Sequence, residues 1–340
     1  MLVTPRSSPF IMETYPAFRQ HPLIRGGHAQ TLGGVYFPGD LPAHTAHPHE
    51  VMLPDGDRIV LHDDRPVAWR NGGRTALLIH GLAGCHGSPY MRRIAHKLAV
   101  RGIRVFRMDL RGCGAGERLA RLPYHSGRSE DAGAALRFIA CLCPGSPASL
   151  IGFSLGGNIA LKLMGEVGRQ PIGGLDSCLA VCPPIDLMAC ALRLRRLDNR
   201  LYDRHFVRLL MRQIGRRPQL VPDAAMVDFA RPPRRLMEFD NMFTAPVSGF
   251  GDVENYYRLC SSAQFLPRIQ RPTKIIASRD DPLIPSEPFE QSPRSSHVEL
   301  QMTDGGGHLG FIAGRNSDPD RRWLDWRVVE WVMGRGRSDF

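Results

Sequence analysis

Lysine is almost missing from this sequence. Lys97, Lys162 and Lys274 are the only three among 44 basic residues, so arginine carries the formal charge of +11. Beside 35 glycines and 28 prolines, an arginine excess this general reads as the imprint of a GC-rich coding sequence. The arginines are scattered, and their densest groups (Arg193, Arg195, Arg196; then Arg231, Arg234, Arg235) are short. No recognition motif accompanies them, which argues against a nucleic-acid partner. The eight cysteines form no C-x-x-C pair and no zinc spacing, so reduced thiols in a cytoplasmic protein are expected. No run reaches about 18 consecutive apolar residues, so no membrane-spanning helix is expected. Residues 1–20 lack the basic-then-apolar order of a secretory signal. What remains, 43% hydrophobic and 23% charged residues over 340 positions, is the make-up of a globular chain able to bury a substantial core.

Present in quantity is alternation. Residues 1–49, rich in Pro, Gly and His, read as an irregular N-terminal arm. His44, His47 and His49 in HTAHPH are ligand types, but a Pro-containing loop without a nearby acid or cysteine reads as a loop. From Glu50 the pattern becomes a hairpin, 50–53 and 58–62, joined by Pro54-Asp55-Gly56-Asp57. Strand-length apolar runs follow at 76–80, 105–109, 150–153, 179–182, 274–278 and 298–302. They alternate with helical stretches at 89–100, 129–142, from 155 onward, and 325–333. Uniformly apolar strands alternating with helices indicate an α/β fold with a mostly parallel sheet covered on both faces. The alternation breaks over 185–267, an Arg-rich and largely helical stretch. The expected division is an arm (1–49), an α/β core (50–184 and 268–340) and a helical lid insertion (185–267).

Gly152-Phe153-Ser154-Leu155-Gly156 fits G-x-S-x-G, between an apolar strand run and a helical run, the setting of a nucleophile elbow. Flanking side chains would collide with the strand and helix, and Ser154 is placed at a helix N-terminus, where N–H groups favour developing negative charge. A serine hydroxyl needs a base. His308 is placed for it, directly after the last strand and the turn 303–307. The acid that orients the imidazole should follow the penultimate strand, where both Asp280 and Asp281 stand; the spacing to Pro285 favours Asp281, with Asp280 left to tie down the loop. The order Ser154, Asp281, His308 is that of α/β-hydrolases. The oxyanion donors expected are the backbone N–H groups of Leu155 and of Leu82, in His80-Gly81-Leu82-Ala83-Gly84. His80 reads as a brace of that loop. Cys85 beside it is a candidate for thiol reagents but lacks the elbow context of a nucleophile.

Several further segments are not needed by a generic hydrolase: HPLIRGGHAQTL (21–32), LPDGD (53–57), HGLAGCHGSPY (80–90), DLRGCGAGE (109–117) and YHSGRSED (124–131). With GFSLGGNIALKLMGE (152–166), FDNMFTAPVSGF (239–250), YYR (256–258), DDPLIP (280–285) and GGHLGF (306–311), they make the chain resemble the YheT-like α/β-hydrolases. These are bacterial esterases related to yeast medium-chain fatty acid ethyl ester synthase/esterases and to animal membrane-anchored lipases. The resemblance implies an esterase of short- to medium-chain acyl esters with no metal or organic cofactor, its nucleophile, acid and base falling on Ser154, Asp281 and His308. It also implies a protein without the animal members' N-terminal anchor.

The expected function is thus a serine carboxylesterase, an enzyme taking a small-molecule acyl ester through an acyl-serine intermediate. Acyl transfer, ester synthesis or lipase action on the same triad, and a non-catalytic binding protein on this scaffold, are the alternatives. The Arg-rich stretch 193–216 offers a face to anionic lipid as a peripheral contact, although a solvated lid face is the plainer reading.

Overall fold

A computed structural model describes residues 17–43, 46–229, 231–315 and 318–334. Eight strands form one sheet: β1 (His47–Met52), β2 (Arg58–Asp64), β3 (Thr75–Ile79), β4 (Arg104–Asp109), β5 (Ala148–Phe153), β6 (Leu175–Val181), β7 (Thr273–Ser278) and β8 (Val298–Thr303). Their order is β1-β2-β4-β3-β5-β6-β7-β8. β2 runs antiparallel to β1 and β4, and every other pairing is parallel. β3, β4, β5 and β7 are buried along their whole length, the charged residues of β4 being matched in place, Arg104 by Asp63 and Arg107 by Asp64.

Alternate residues of these strands feed two separate cores. Leu77, Ile79, Phe106 and Leu150 pack on one face with Ala132 and Leu136 of α3 (Ser129–Leu142) and Ile159 of α4 (Leu155–Val167). Ala76, Leu78, Val105, Ile151 and Phe153 pack on the other with Ile94 of α2 (Pro89–Ala99) and Trp323 and Val328 of α8 (Trp323–Gly334). Each such side chain taken fully from water stabilises the fold by ~1.5–3 kcal/mol.

Three local readings need correction. The arm is not irregular throughout, because α1 (Gly27–Tyr36) lies within it. The sequence GHAQTLGGVY is glycine-rich and has no side-chain cap, so its local helix signal is poor. Long-range bonds hold it instead: Gln30 Nε2 donates to the Ile312 carbonyl (3.0 Å), and Gln30 Oε1 accepts from the Ile312 N–H (2.7 Å). The hairpin also begins earlier than Glu50, at His47, and β6 begins at Leu175. The polar start of β6 hid it, since Asp176 is there to take a two-pronged hydrogen bond from Arg74 (3.1 and 2.7 Å).

Between β6 and β7 the chain is helical: α5 (Leu187–Leu194), α6 (Arg200–Leu220), short turns over 236–247, and α7 (Val253–Cys260). Asp186 caps α5 by accepting from the Ala189 N–H (2.9 Å). α6 bridges the carboxyl edge of the sheet. Just before its start Asn199 Nδ2 donates to the Pro282 carbonyl after β7 (2.6 Å), and near its end Arg217 Nη2 donates to the Arg121 carbonyl beyond β4 (2.5 Å). Ligands bind open α/β sheets at this edge, where loops leave the strands.

Candidate active site

Ser154 stands between β5 and α4 in a left-handed conformation, φ 52° and ψ −122°. Such strain persists in a non-glycine residue only when its surroundings over-determine it. They do here, because β5 and α4 approach too closely for side chains. A Cβ on Gly152 would lie 2.2 Å from the Gly156 carbonyl oxygen, and one on Gly156 would lie 2.4 Å from that of Ile79. The turn lifts the serine hydroxyl off the sheet edge toward the loops after β7 and β8.

Those loops deliver the two other residues expected there. His308 Nε2 lies 2.9 Å from Ser154 Oγ, and His308 Nδ1 lies 2.8 Å from Asp281 Oδ2. A carboxylate only accepts, so Nδ1 carries the hydrogen and Nε2 is free to accept from the serine hydroxyl. The other Asp281 oxygen accepts from the N–H groups of Leu283 (2.8 Å) and Ile284 (3.0 Å), fixing the carboxylate plane. Asp280 does not face the imidazole. Its Oδ1 accepts from the Gly307 N–H (2.8 Å) and its Oδ2 from Gln20 Nε2 (3.3 Å), tying the β7 and β8 loops to the arm.

The proposed oxyanion donors, Leu82 and Leu155, line the same cavity as Ser154 and His308. Leu155 opens α4, where an N–H has no intrahelical acceptor. The Leu82 N–H donates to no described residue, while its neighbours on both sides are held. Gly81 N–H donates to the Tyr90 hydroxyl and Ala83 N–H to the Tyr124 hydroxyl, each at 3.0 Å. His80 is fully buried, and burial pushes its imidazole down toward the neutral form. It donates from Nδ1 to the Gly81 carbonyl (2.7 Å) and accepts at Nε2 from the Leu110 N–H (3.2 Å), so it braces the loop as expected.

A strand–elbow–helix serine, a histidine after the last strand and an acid after the strand before it are now in one hydrogen-bonded chain on an eight-stranded sheet. A sequence model described as "Alpha/beta hydrolase family" matches residues 76–325, well over half of the chain. The chain belongs to the alpha/beta hydrolase family. Its relatives include "Putative esterase YheT" of Escherichia coli (strain K12), 34% identical over 294 residues that make up 85% of each chain. The yeast "Medium-chain fatty acid ethyl ester synthase/esterase 2" (Saccharomyces cerevisiae) is 26% identical over 75% of this chain and 61% of that one. Among solved structures, the Pyrococcus furiosus esterase Pf2001 superposes with a TM-score of 0.55 at 16% identity, covering 94% of this chain and 99% of that one. That last likeness speaks for the fold.

In this hydrolase Ser154 and His308 open into a cavity of about 960 Å³ between the sheet edge and the helical segment, with Leu155, Leu187, Leu194, Phe206, Leu210 and Phe243 among its walls. Several residues that the sequence marked without a role prove to be ties around it. Arg111, fully buried, donates twice to Asp131 (2.7 Å each) and also to Asp55 (2.5 Å) and Asp57 (2.9 Å), joining the β1–β2 turn to α3. Ser126 donates its N–H to the Tyr256 hydroxyl (3.0 Å), and Asn158 Nδ2 reaches the carbonyls of both Ser126 (2.9 Å) and Cys260 (2.8 Å), joining α4 to α7.

Two groupings have metal-ligand chemistry among the described residues. Cys182, Asp281 and His308 share atoms with the hydrogen-bonded chain already described, and burial pushes the Cys182 thiol well up, so it stays protonated. His62 Nε2 and His86 Nδ1 meet Asp109 Oδ2 at 3.0 and 2.7 Å with their rings stacked 3.4 Å apart. Both contacts have hydrogen-bond length, and a carboxylate oxygen only accepts, so both imidazole nitrogens donate to Asp109. Burial alone would raise the Asp109 carboxyl, but the bonds from His62 and His86 outweigh it and hold it well below the usual range. His44 lies outside the described residues; His47 packs edge-on against His49 at 4.7 Å, and His49 Nε2 meets Asp63 Oδ2 at 3.1 Å.

Cys85 is half-buried, and burial pushes its thiol up, away from the reactive thiolate. Maleimide at pH 7 is therefore expected to label the exposed Cys141 first and Cys85 several-fold more slowly, as read by peptide mapping over time. Labelling of Cys85 ahead of Cys141 would contradict this.

Asp240 lines the cavity wall, and burial pushes its carboxyl up to about 6 against hydrogen bonds from Thr244 (2.7 Å) and Tyr257 (2.7 Å). The folded state therefore holds a proton that the unfolded chain, with an ordinary value of 3.8, has released. Stability from this group is lost as pH rises from about 4 to about 6 and is level above, an effect of ~3 kcal/mol. Asp240→Asn should remove that slope from urea unfolding between pH 4.5 and 7; parallel curves for both proteins would refute it.

Proposed function

We propose that this hydrolase is a serine carboxylesterase acting on short- to medium-chain acyl esters through an acyl-serine intermediate. The observation that carries the reading is the chain from Asp281 through His308 to Ser154, set in an apolar cavity beside two N–H groups without acceptors among the described residues. In this reading Ser154 Oγ attacks the ester carbonyl while His308 Nε2 takes its proton. The imidazolium is stabilised by Asp281, which keeps its charge throughout. The Leu82 and Leu155 N–H groups receive the oxyanion, and their loops are fixed beforehand, so little reorganisation is needed as charge develops. His308 then returns the proton to the departing alcohol, and a water activated by the same nitrogen releases the acid. The names of the relatives, esterases and lipases, support an ester as substrate.

The experiment is fluorophosphonate labelling of the purified protein, read by intact mass and peptide mapping. One adduct on Ser154, followed by turnover across a p-nitrophenyl ester series, is the expected result. An adduct elsewhere, or none, overturns the reading.

A further inference from the structure

α6 carries arginine at every fourth position: Arg200, Arg204, Arg208, Arg212 and Arg216, all exposed. At 3.6 residues per turn, five such positions sweep about 160° of the helix circumference. The buried residues Asp203, Val207, Leu210, Ile214 and Arg217 occupy the opposite side. The solvent face of a helix roughly 30 Å long is thus cationic from end to end. Asp203, the one acid in α6, is turned inward, accepting from the Leu236 N–H (2.7 Å) and from Arg235 (3.2 Å). Arg216 is paired with Glu117. Arg200, Arg204, Arg208 and Arg212 make no hydrogen bond or ion pair with any described residue. Like charges at this spacing repel one another, so the row costs stability in isolation.

The same side of the molecule is also apolar at the cavity mouth. Leu201, amid the arginines, is 78% exposed, and Leu197, one turn earlier, is 86% exposed. Facing them, α1 and its end present Val35, Tyr36 and Phe37, all exposed. His28 of α1 stacks on Tyr202 of α6 at 5.7 Å and meets its hydroxyl at 3.2 Å, so the two helices form one rim. Val35, Tyr36, Leu201 and Tyr202 line the opening itself.

We propose that this face docks the protein, cavity mouth down, on an anionic phospholipid bilayer. Guanidiniums facing lipid phosphates, with leucine and aromatic side chains entering the boundary between headgroups and acyl chains, is the pattern of an interfacial helix. A nucleic acid would satisfy the arginines and leave Leu197, Leu201 and Phe37 unrewarded, which is why lipid is favoured. Docking rests on the surface alone and does not require the esterase reading.

The test is co-sedimentation of the full chain with vesicles of phosphatidylcholine, alone or with about a third phosphatidylglycerol. Strong binding only to the anionic vesicles is expected, lost in 0.5 M salt, where the screening length falls to a few ångströms. Each arginine near such a surface contributes about fivefold, so the triple variant Arg200→Gln, Arg204→Gln, Arg212→Gln should bind roughly 100-fold more weakly. Those side chains have no partners among the described residues to lose, and an unfolding midpoint no lower than the parent's confirms the fold. Leu197→Ser with Phe37→Ser should weaken binding several-fold while keeping its salt dependence. Binding to neither vesicle, equal binding to both, or a triple variant that binds like the parent overturns the proposal. So does tighter binding to an RNA duplex that ignores the Leu197 and Phe37 changes, an outcome that would assign the face to nucleic acid.

Discussion

Ser154→Ala is expected to lower ester turnover by on the order of 10⁴- to 10⁶-fold, the scale on which a serine nucleophile fails when its oxygen is removed. The fold should not notice. Among the described residues Ser154 Oγ bonds only to His308 Nε2, across a cavity rather than inside a core. Alanine also keeps the Cβ that already tolerates φ 52°, so the backbone strain is the same in both proteins. The measurement is kcat/KM on a p-nitrophenyl ester alongside thermal unfolding. Turnover within tenfold of the parent would remove Ser154 from the nucleophile role. Lost turnover with a large drop in unfolding midpoint would mean that the serine is structural.

Asp281→Asn should cost about 10³- to 10⁴-fold, while Asp280→Asn costs less than about tenfold. The orientation of the new amide is dictated by the loop. Asp281 Oδ1 accepts from the Leu283 and Ile284 N–H groups, and an asparagine must keep its oxygen there. Its NH₂ is then turned toward His308 Nδ1, a donor facing a donor, unless the imidazole moves its hydrogen to Nε2. That tautomer can no longer accept from Ser154. Asp280→Asn loosens contacts to Gly307 and Gln20 and leaves the imidazole hydrogen in place. A larger loss at position 280 would exchange the two assignments.

The sheet was legible because its central strands β3, β5 and β7 are buried on both faces and read as largely apolar runs; β3, β7 and β8 begin within a residue of where their sequences put them. The elbow was legible because close approach leaves a glycine mark on each side of Ser154. α1 was not, since its hold comes from Ile312 and the β8 loop, some 280 residues away, and no local pattern encodes such a partner. Tyr90 and Tyr124 were missed for a related reason. Each hydroxyl serves one N–H of the Leu82 loop, and a lone tyrosine carries no spacing to reveal that. The Arg-rich stretch 193–216 offered a face to anionic lipid in sequence, but which arginines share that face depends on the side of α6 that the cavity takes up.

The arm also bears on the site. Thr31 Oγ1 in α1 accepts the His308 N–H (2.8 Å), and Gln20 pairs with Ala313 across the same loop. The loop that carries His308 is therefore seated by residues 277 positions earlier in the chain, so the arm is a strut of the site and not an appendage. Loosening α1 would leave the sheet whole and the imidazole unheld.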